Sequence, residues 1–451
     1  MLEQRFPDTC EVYPELVAHH ALRGEIWEKA VAYFRQAGIK AFARSAHREA
    51  LACFEQALAA LQYLSQSRDT TEQAIDLRLD LRNVLLRFGE SGRVLDYLRE
   101  AEALSQTLGD ERRLGRVSWC MTQYFMEEGE HDHGLESGRR ALAIATTLGD
   151  FAVRVATNEH LGHIYYVLGD YRQAVDVLGW NVASLQGERI YERYGMAGLP
   201  SVHSRAWLVR CLAELGEFAR GISYGEEAVR IAEAANLPYS LSVAYQSIGF
   251  LYFRKGDLHK AIPLLEHGLE LCRVMDSLVW FPTIAWVLSS AYVLSGRVAE
   301  ALPLVTQALE QNASMRTRGN SWRLVLWLSE AHLLTGYMDE VIELVGHALE
   351  LCRIHKERGP QAWALRILGE ILSHQDPPEV KQAEAAYREG LALASELGMR
   401  PLLAHCHVGL GALYHQMGRL DEARSALSVA IQMYHSMDME FWLARVQSML
   451  V

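Results

Sequence analysis

Histidines cluster at three places where they could bind a metal ion. Residues 159–163 hold a glutamate and two histidines within one helical turn, residues 131–133 read His-Asp-His beside glutamates, and residues 405–407 read His-Cys-His. Zinc takes such side chains at short spacings. However, the residues at 405–407 lie one or two positions apart on a predicted helix, where side chains point in different directions. The group at 159–163 fits a variable helix surface, and the group at 131–133 fits a solvated acidic turn. We therefore predict no metal site.

The sequence lacks the motifs of common enzyme classes. It has no GxxxxGK[ST] loop to hold phosphates, no GxSxG nucleophile turn and no HExxH metal-binding helix. A single GxG, at Gly409 and Gly411, lies inside a predicted helix and follows no strand, so it does not indicate a dinucleotide site. The sequence predicts a non-catalytic chain with no catalytic residue and no cofactor.

Composition narrows the class of protein further. The 451 residues carry a formal net charge of −12 and are 50% hydrophobic, which suits a folded chain with a large core. Without a long Lys/Arg run, nucleic acid and anionic membranes are not expected partners. Singly scattered cysteines and an N-terminus without a signal-peptide pattern favour the cytoplasm. Residues 277–296 are uncharged, but they contain serines and fit the repeat described next, so we predict a buried helix rather than a membrane span.

A turn glycine followed five residues later by a small or apolar residue recurs about every 40 residues. The pairs are Gly89/Val94, Gly129/Gly134, Gly169/Ala174, Gly216/Gly221, Gly256/Ala261, Gly296/Ala301, Gly336/Val341 and Gly418/Ala423. From the turn at Gly129 onward, an apolar residue stands eight positions before the turn residue. Leu161 and Ile248 are examples, and a small residue often follows directly after this apolar residue. This spacing predicts two amphipathic helices per unit, the first ended by a glycine in the left-handed conformation.

These leucine, small, aromatic and glycine positions resemble the tetratricopeptide (TPR) repeat, in a form longer than the usual repeat of about 34 residues. The resemblance implies an all-α fold, a right-handed α-solenoid of about ten TPR-like helix pairs with a C-terminal capping helix. We divide the chain into an N-terminal segment (1–26), the solenoid (27–437) and the capping helix (438–451). A polar connector is expected at 65–73, and a bend or loop near 187–200.

A second resemblance concerns residues 5–61, which begin RFPDTCEVYPELVAHH, and residues 194–218. Both stretches resemble the C-terminal TPR region of bacterial class III adenylate/guanylate cyclase–AAA ATPase–TPR fusion proteins. The resemblance implies a bacterial signalling protein. The sequence contains no cyclase or ATPase domain, so neither activity is assigned to any residue here.

In TPR arrays the first helix of each pair lines a concave groove that binds extended peptides or partner helices. Offsets −13, −10 and −6 from the turn glycine share a helix face that the packing positions do not use. The groove candidates are Arg116, Trp119, Gln123, Glu159, His163, His203, Arg210, Gln246, Phe250, Trp286, Arg323, Glu330, Trp363, Arg366 and Glu370. Aromatic and arginine side chains supply much of the contact energy at interfaces. Alternatively, Trp119 and Trp286 belong to the core between repeats.

From these features we predict a non-catalytic TPR scaffold or regulatory module of a bacterial signalling protein, which binds a protein or peptide in its groove. Two alternatives stay open. The chain could be the detached C-terminal part of a nucleotidyl cyclase/ATPase signalling enzyme, or a peptide-pheromone-type TPR receptor with a carboxylate-binding arginine. The identity of the partner and the oligomeric state stay open.

Overall fold

The computed structural model describes residues 13–275, 280–314 and 338–449, without the side chains of residues 312–314 and 338–340. The chain divides into two compact units. Unit 1 comprises residues 1–125 and 136–157, and unit 2 comprises residues 126–135 and 158–451.

The described residues form α-helices and one short 3-10 helix, Gly187–Tyr191, and contain no strand. The predicted all-α array of helix pairs is confirmed. In chain order the helices are α1 (Pro14–Arg23), α2 (Trp27–Ala43), α3 (His47–Leu61), α4 (Arg68–Leu85), α5 (Ser91–Leu108), α6 (Glu111–Glu128), α7 (His131–Leu148), α8 (Phe151–Leu168), α9 (Tyr171–Ser184), α10 (Pro200–Leu215), α11 (Phe218–Ala235), α12 (Pro238–Lys255), α13 (Leu258–Val274), α14 (Trp280–Leu294), α15 (Val298–Ser314), α16 (Met338–Ile354), α17 (Arg358–His374), α18 (Val380–Leu397), α19 (Arg400–Gln416), α20 (Leu420–Ser436) and α21 (Glu440–Gln447).

The predicted turn glycines end first helices as expected. Gly89, Gly129, Gly169, Gly216, Gly256, Gly296 and Gly418 all have positive φ, between 67° and 94°. In this region a side chain is strained, so glycine is the favoured residue. The eighth predicted turn glycine, Gly336, lies outside the described residues.

Small residues let the two helices of a pair approach each other closely. A Cβ built on Gly162 of α8 would lie 2.5 Å from Leu178 of α9, and one built on Gly249 of α12 would lie 2.7 Å from Leu265 of α13. Real Cβ atoms essentially never come this close to another atom, so the leucine occupies the space that a larger residue would need. The sequence-based reason for a small residue at this position is confirmed.

The polar connector expected at 65–73 is shorter in the structure, because α4 already begins at Arg68. Ser67 caps this helix. Its side chain accepts a hydrogen bond from the Thr70 backbone N–H, and the Thr70 hydroxyl oxygen accepts one from the Ser67 backbone N–H. This reciprocal cap satisfies two backbone donors at the helix start. A polar run that begins with a capping serine is therefore helix rather than linker.

In unit 1 the core is built from neighbouring helices. Phe34 of α2 and Phe54 of α3 are buried together with residues of α4, and Leu98 of α5 packs with Met121 of α6 in a second cluster. Trp27 stacks on Tyr63 with ring centroids 4.2 Å apart. These contacts link adjacent repeats in the order of the chain.

Unit 2 also makes contacts between repeats that are far apart in sequence. At its first turn, His131 Nε2 lies 2.7 Å from Glu357 Oε1, and Gly129 O lies 3.1 Å from His355 Nδ1, both across 226 residues. At its second turn, Tyr171 Oη lies 3.7 Å from Met399 Sδ, across 228 residues. Unit 2 therefore returns on itself after between five and six repeats.

The same contact line continues along unit 2. The turn at Gly216 lies against Met437, and the turn at Gly256 lies against Phe441 and Trp442 of α21. We call this line of turn-to-turn contacts the seam. It joins the turns after α6, α8, α10 and α12 to residues at the ends of helices in the last third of the chain.

Residues 280–294 form α14, whose Trp286 and Leu288 are buried in the core of unit 2. None of the described helices is long and apolar enough to cross a membrane.

Candidate ligand-binding surface

The predicted groove residues lie on first helices, and the structure divides them between the two units. Arg323 and Glu330 lie outside the described residues. In unit 1, Arg116, Trp119 and Gln123 lie on α6. Those in unit 2 are Glu159 and His163 on α8, His203 and Arg210 on α10, Gln246 and Phe250 on α12, Trp286 on α14, and Trp363, Arg366 and Glu370 on α17.

The three members in unit 1 stay partly accessible and have partners within that unit. Arg116 is half-exposed, with Nη1 3.7 Å from Asp76 Oδ1. Gln123 Oε1 accepts a hydrogen bond of 2.6 Å from Arg82 Nη2. Trp119 packs at the margin of the core cluster formed by α4, α5 and α6. They form a partly exposed surface of one tryptophan and two polar side chains.

In unit 2 two polar pairs bridge successive first helices. His203 Nδ1 of α10 lies 3.1 Å from Glu159 Oε1 of α8, and Arg210 Nη1 of α10 donates to Gln246 Oε1 of α12 over 3.1 Å. All four residues are buried. We call these four residues the inner polar row. Residues 203 and 210 are seven apart on one helix, so the two pairs lie about 10 Å apart along α10.

Each member of the inner polar row retains one atom without a hydrogen-bond partner. Within the described chain, Glu159 Oε2, His203 Nε2, Arg210 Nε and Gln246 Nε2 are buried and make no hydrogen bond. A buried polar atom left unpaired costs about 1–3 kcal/mol, and such atoms are rare in folded proteins. Four on three neighbouring helices form a concentration of unused hydrogen-bonding capacity.

Aromatic rings hold Arg210 in place. Its guanidinium carbon lies 5.1 Å from the ring centroid of Trp207, 5.0 Å from that of Phe250 and 5.4 Å from that of Tyr166. Ring faces attract a cation, and the stacking fixes the direction of the side chain. Burial raises the pKa of Tyr166 to about 12, although the Arg210 charge opposes this rise, so the ring meets the arginine as a neutral phenol.

Trp363, on a later helix of unit 2, lies over one end of this surface, and we call it the cover. Trp363 Nε1 of α17 donates to Glu214 Oε2 of α10 over 2.8 Å, and the Arg254 guanidinium of α12 lies 3.6 Å from the Trp363 ring centroid. Glu214 and Arg254 are both buried, with Nε and Oε1 3.9 Å apart. Trp286 meets Phe250 and Phe253 edge to face and is buried, in agreement with its alternative assignment to the core.

Sequence reasoning missed Glu214 and Arg254, although a signal for both exists. Each stands two residues before its turn glycine, Gly216 or Gly256. This position continues the face of offsets −10 and −6 by one more helical turn. Extending the register to offset −2 would have found both residues.

Next to this cover lies a buried histidine. Burial lowers the pKa of His405 well below its ordinary value, and the charges of Arg366 and Arg254 lower it further. Its neutral ring lies 2.7 Å, at Nδ1, from the Tyr434 hydroxyl. Arg366 itself pairs with Glu370 on the same helix, 2.9 Å apart.

The histidine groups singled out in the sequence have separate fates in the structure. His163 stacks on Trp207 with centroids 4.0 Å apart. His133 is exposed, but the prediction of a solvated turn was wrong for His131, which is buried against Glu357 because the seam closes over it. Among the residues that the structure describes, no three His, Cys, Asp or Glu side chains converge to hold a metal ion.

Comparison with known proteins agrees with this architecture. Residues 202–273 match the tetratricopeptide repeat family. No curated protein sequence matches the chain.

Several solved structures share the fold. A Rap protein complexed with the competence and sporulation factor has a TM-score of 0.61 at 14% identity, covering 82% of this chain and 98% of its own. The Rap conjugation gene regulator of plasmid pLS20, in complex with the Phr* peptide, has a TM-score of 0.52 at 12% identity, covering 83% and 94%. Apo RapI has a TM-score of 0.51 at 10% identity, covering 82% and 98%. The chain therefore has the fold of a TPR-like helical repeat array.

Proposed function

We propose that this chain is a non-catalytic TPR regulatory module that binds an extended peptide, or an extended segment of a partner protein, along the inner polar row of unit 2. The observation that carries the proposal is the set of four buried, unpaired polar atoms at Glu159, His203, Arg210 and Gln246. Each belongs to a side chain whose other polar atom is already used to bridge two helices. The remaining atoms are available to a ligand.

Extended peptides suit this row chemically. Every residue of an extended chain other than proline presents one N–H and one C=O that must be hydrogen-bonded when buried. Glu159 supplies an acceptor, whereas Arg210 and Gln246 supply donors. The separation of about 10 Å between the two pairs matches about three residues of extended chain.

The solved structures favour a peptide over a folded partner. One of the similar proteins is complexed with the competence and sporulation factor, and another is in complex with the Phr* peptide. This supports the peptide-receptor alternative for the present chain. The alternative of a detached cyclase/ATPase tail rests on sequence resemblance alone and remains a prediction.

Regulation would arise from the cover over the row. Trp363 lies against Glu214 and Arg254, one helical turn beyond the row, and Glu357 of the seam directly precedes the helix of Trp363, so we expect binding to shift this helix. A ligand changes the equilibrium between two arrangements only by its difference in affinity for them. Occupied and empty forms would therefore differ in the spacing of repeats along the seam, and a partner on the outer surface could sense that difference.

The proposal is tested with a pooled random pentapeptide library and the full chain. Peptides that remain bound after rapid gel filtration are identified by mass spectrometry, and thermal unfolding is followed with the recovered peptides. At a concentration a hundred times its Kd, a peptide adds about 2.7 kcal/mol of stability. The double variant Arg210→Met/Gln246→Leu should lose retention, whereas Arg230→Met, on the exposed side of α11, should keep it. Equal retention by both variants, or no retention by the unaltered chain, would contradict the proposal.

A further inference from the structure

The last described helix, α21, lies against the turn that follows α12, far back in the chain. A Cβ built on Gly256 would lie 2.9 Å from Phe441 Cβ and 3.0 Å from the Trp442 indole. The Trp442 ring also meets His405 of α19 edge to face, with ring centroids 4.7 Å apart. A helix that only capped the array would contact its last repeat alone, whereas α21 also joins the last repeats to the turn after α12.

Through these contacts α21 touches two segments that pack on the cover, Trp363. His405 of α19 contacts both tryptophans, because its ring centroid lies 4.7 Å from that of Trp442 and 5.9 Å from that of Trp363. Gly256 ends α12, and the Arg254 guanidinium of the same helix lies 3.6 Å from the Trp363 ring centroid. A movement of α21 is therefore felt by two of the groups that hold Trp363 in place.

The seat of α21 is incomplete. The helix has eight residues, and isolated helices shorter than about 12 residues are marginal in water. Its large apolar side chains Phe441, Trp442 and Leu443 are only partly buried. In the described part of the chain, Trp442 Nε1 is buried without a hydrogen-bond partner, and a buried donor without a partner weakens the contact that buries it.

The turn that leads into α21 carries strain. Asp438 has a φ of 53°, in the left-handed region, which is unfavourable for a residue with a side chain. The turns after the second helices α5, α7 and α18 adopt this conformation with a glycine, at Gly109, Gly149 and Gly398. Release of α21 relieves the strained turn and exposes the indole N–H to water, so two local costs oppose its apolar contacts.

We propose that α21 is an autoinhibitory latch, which holds the cover in place and whose release lets the cover shift when a ligand binds the inner polar row. This inference rests on the proposed function, because it names the element that regulates binding to the row. The coupling is reciprocal: a latch that weakens ligand binding is itself loosened by bound ligand, by the same factor. The state of α21 thereby signals whether the row is occupied.

Hydrogen exchange tests the latch without any ligand. Amide exchange of the full chain, followed by mass spectrometry, is compared between the unaltered protein and Trp442→Ala. We expect α21 and α17, which carries Trp363, to exchange about tenfold faster in the variant, because loss of the latch populates the shifted cover. Exchange in α11 should stay the same. Unchanged exchange in α17 while α21 is freed would overturn the latch.

Two further variants separate the latch from a general loss of stability. Leu269 lies in the core of unit 2, about three turns along α13 from its start, so Leu269→Ala should loosen the core without favouring α17. The same preferential rise in α17 with Leu269→Ala would overturn the latch. Trp442→Leu keeps an apolar side chain but loses the ring against His405. It should show a smaller rise in α17 and α21, so the test stands even where the alanine variant does not fold.

Peptide binding gives a second readout. With a peptide recovered from the library, we expect faster exchange of α21 in the unaltered chain and about tenfold tighter binding by Trp442→Ala. Unchanged or slower exchange of α21 on binding, or equal or weaker binding by Trp442→Ala, would overturn the latch while leaving peptide binding intact. If no peptide is retained, the proposed function falls, whereas the exchange of α17 in the empty protein still decides whether α21 restrains the cover.

Discussion

Both compact units contain an arginine on one first helix that donates to a glutamine on the next, yet the two pairs have different surroundings. In unit 1, Arg82 donates to Gln123 over 2.6 Å and to the adjacent Asn83 over 2.8 Å, and Gln123 is partly exposed. In unit 2, Gln246 is 1% exposed and its partner is enclosed by aromatic rings. Within the described residues, the arginine is buried and has an unpaired Nε in both units, so the pairs differ in the glutamine, which is partly exposed in unit 1 and buried in unit 2.

The difference comes from contacts that are distant in sequence. In unit 2, Trp363 reaches Glu214 of α10 across 149 residues and lies against Arg254 of α12. In unit 1, the described core contacts join helices that are close in the chain. Unit 1 thus shows first helices that contact only helices close to them in the chain. Unit 2 shows first helices that also contact a distant part of the same array.

The largest expected effect is on this cover. Trp363→Ala should destabilise unit 2 by about 3–5 kcal/mol, because it removes a buried indole, its bond to Glu214 and its stacking on Arg254. Trp119→Ala, at a partly buried site in unit 1, should cost less. Urea unfolding with circular dichroism measures both losses. Equal losses would contradict the special role of the cover.

The close packing within helix pairs should be common to both units. A Cβ on Gly38 of unit 1 would lie 2.5 Å from Phe54, and one on Gly249 of unit 2 would lie 2.7 Å from Leu265. Gly38→Leu and Gly249→Leu should each cost about 1–3 kcal/mol through overpacking.

Gly179→Leu provides the control for this pair. A Cβ on Gly179 meets no atom within 4 Å, so a better helix former should be neutral or stabilising there. Melting temperatures of the three variants settle the point, and an unchanged value for Gly38→Leu or Gly249→Leu would argue against the repeat register.

The next largest effect on stability should come from the seam. In the buried pair of His131 and Glu357, the side chains are 2% and 0% exposed, and Glu357→Leu leaves His131 Nε2 without its partner. We expect a loss of about 1–3 kcal/mol. Since the cover is loosened, we also expect tighter binding of the peptides recovered from the library.

The neighbouring residue supplies the control for the seam. Lys356 pairs with Asp132 at the surface, where both side chains are about two-thirds exposed, and surface ion pairs contribute at most about 1 kcal/mol. Lys356→Ala should therefore change neither stability nor peptide affinity by much. Weaker peptide binding by Glu357→Leu than by Lys356→Ala would contradict a seam that restrains the cover.

The smallest effect concerns pH. Because burial and two arginines lower the pKa of His405, the unfolded chain binds a proton at this residue below about pH 6.5 that the folded chain does not. The contribution of His405 to the free energy of unfolding is therefore fully present above pH 6.5. It falls as the pH drops below this value, by at most about 1.4 kcal/mol per pH unit.

Denaturant titrations from pH 7 to pH 5 measure this dependence. His405→Asn should reduce the slope, whereas His435→Asn, on an exposed position of α20, should leave it unchanged. The difference in slope between the two proteins reports the burial of His405, and an identical slope for His405→Asn and the unaltered chain would show that His405 is solvated.

Local features of this fold could be predicted from the sequence, because they depend on neighbours in the chain. The turn glycines need a left-handed backbone, and Gly162 and Gly249 need space beside a leucine of the next helix. Both requirements repeat with the period of the array. The early start of α4 was missed, although Ser67 and Thr70 carry a readable capping signal.

The seam and the cover could not be predicted in the same way. Whether Glu357 meets His131 depends on small rotations added up over more than five repeats, and no single repeat encodes that sum. His131 therefore looked like part of a hydrated turn. The groove candidates remain predictions as binding residues. Only the folded array reveals which of those in unit 2 are buried: Glu159, His203, Arg210, Gln246, Phe250, Trp286 and Trp363.

The most direct test of peptide binding on the inner polar row is photo-crosslinking. A peptide recovered from the library is synthesised with a benzophenone side chain at its middle residue, irradiated with the full chain, and its attachment sites are mapped by mass spectrometry. We predict attachment within 203–210 of α10 and 246–250 of α12, reduced in Arg210→Met/Gln246→Leu and unchanged in Arg230→Met. Attachment confined to unit 1, or to the outer helices α11 and α13, would contradict the account.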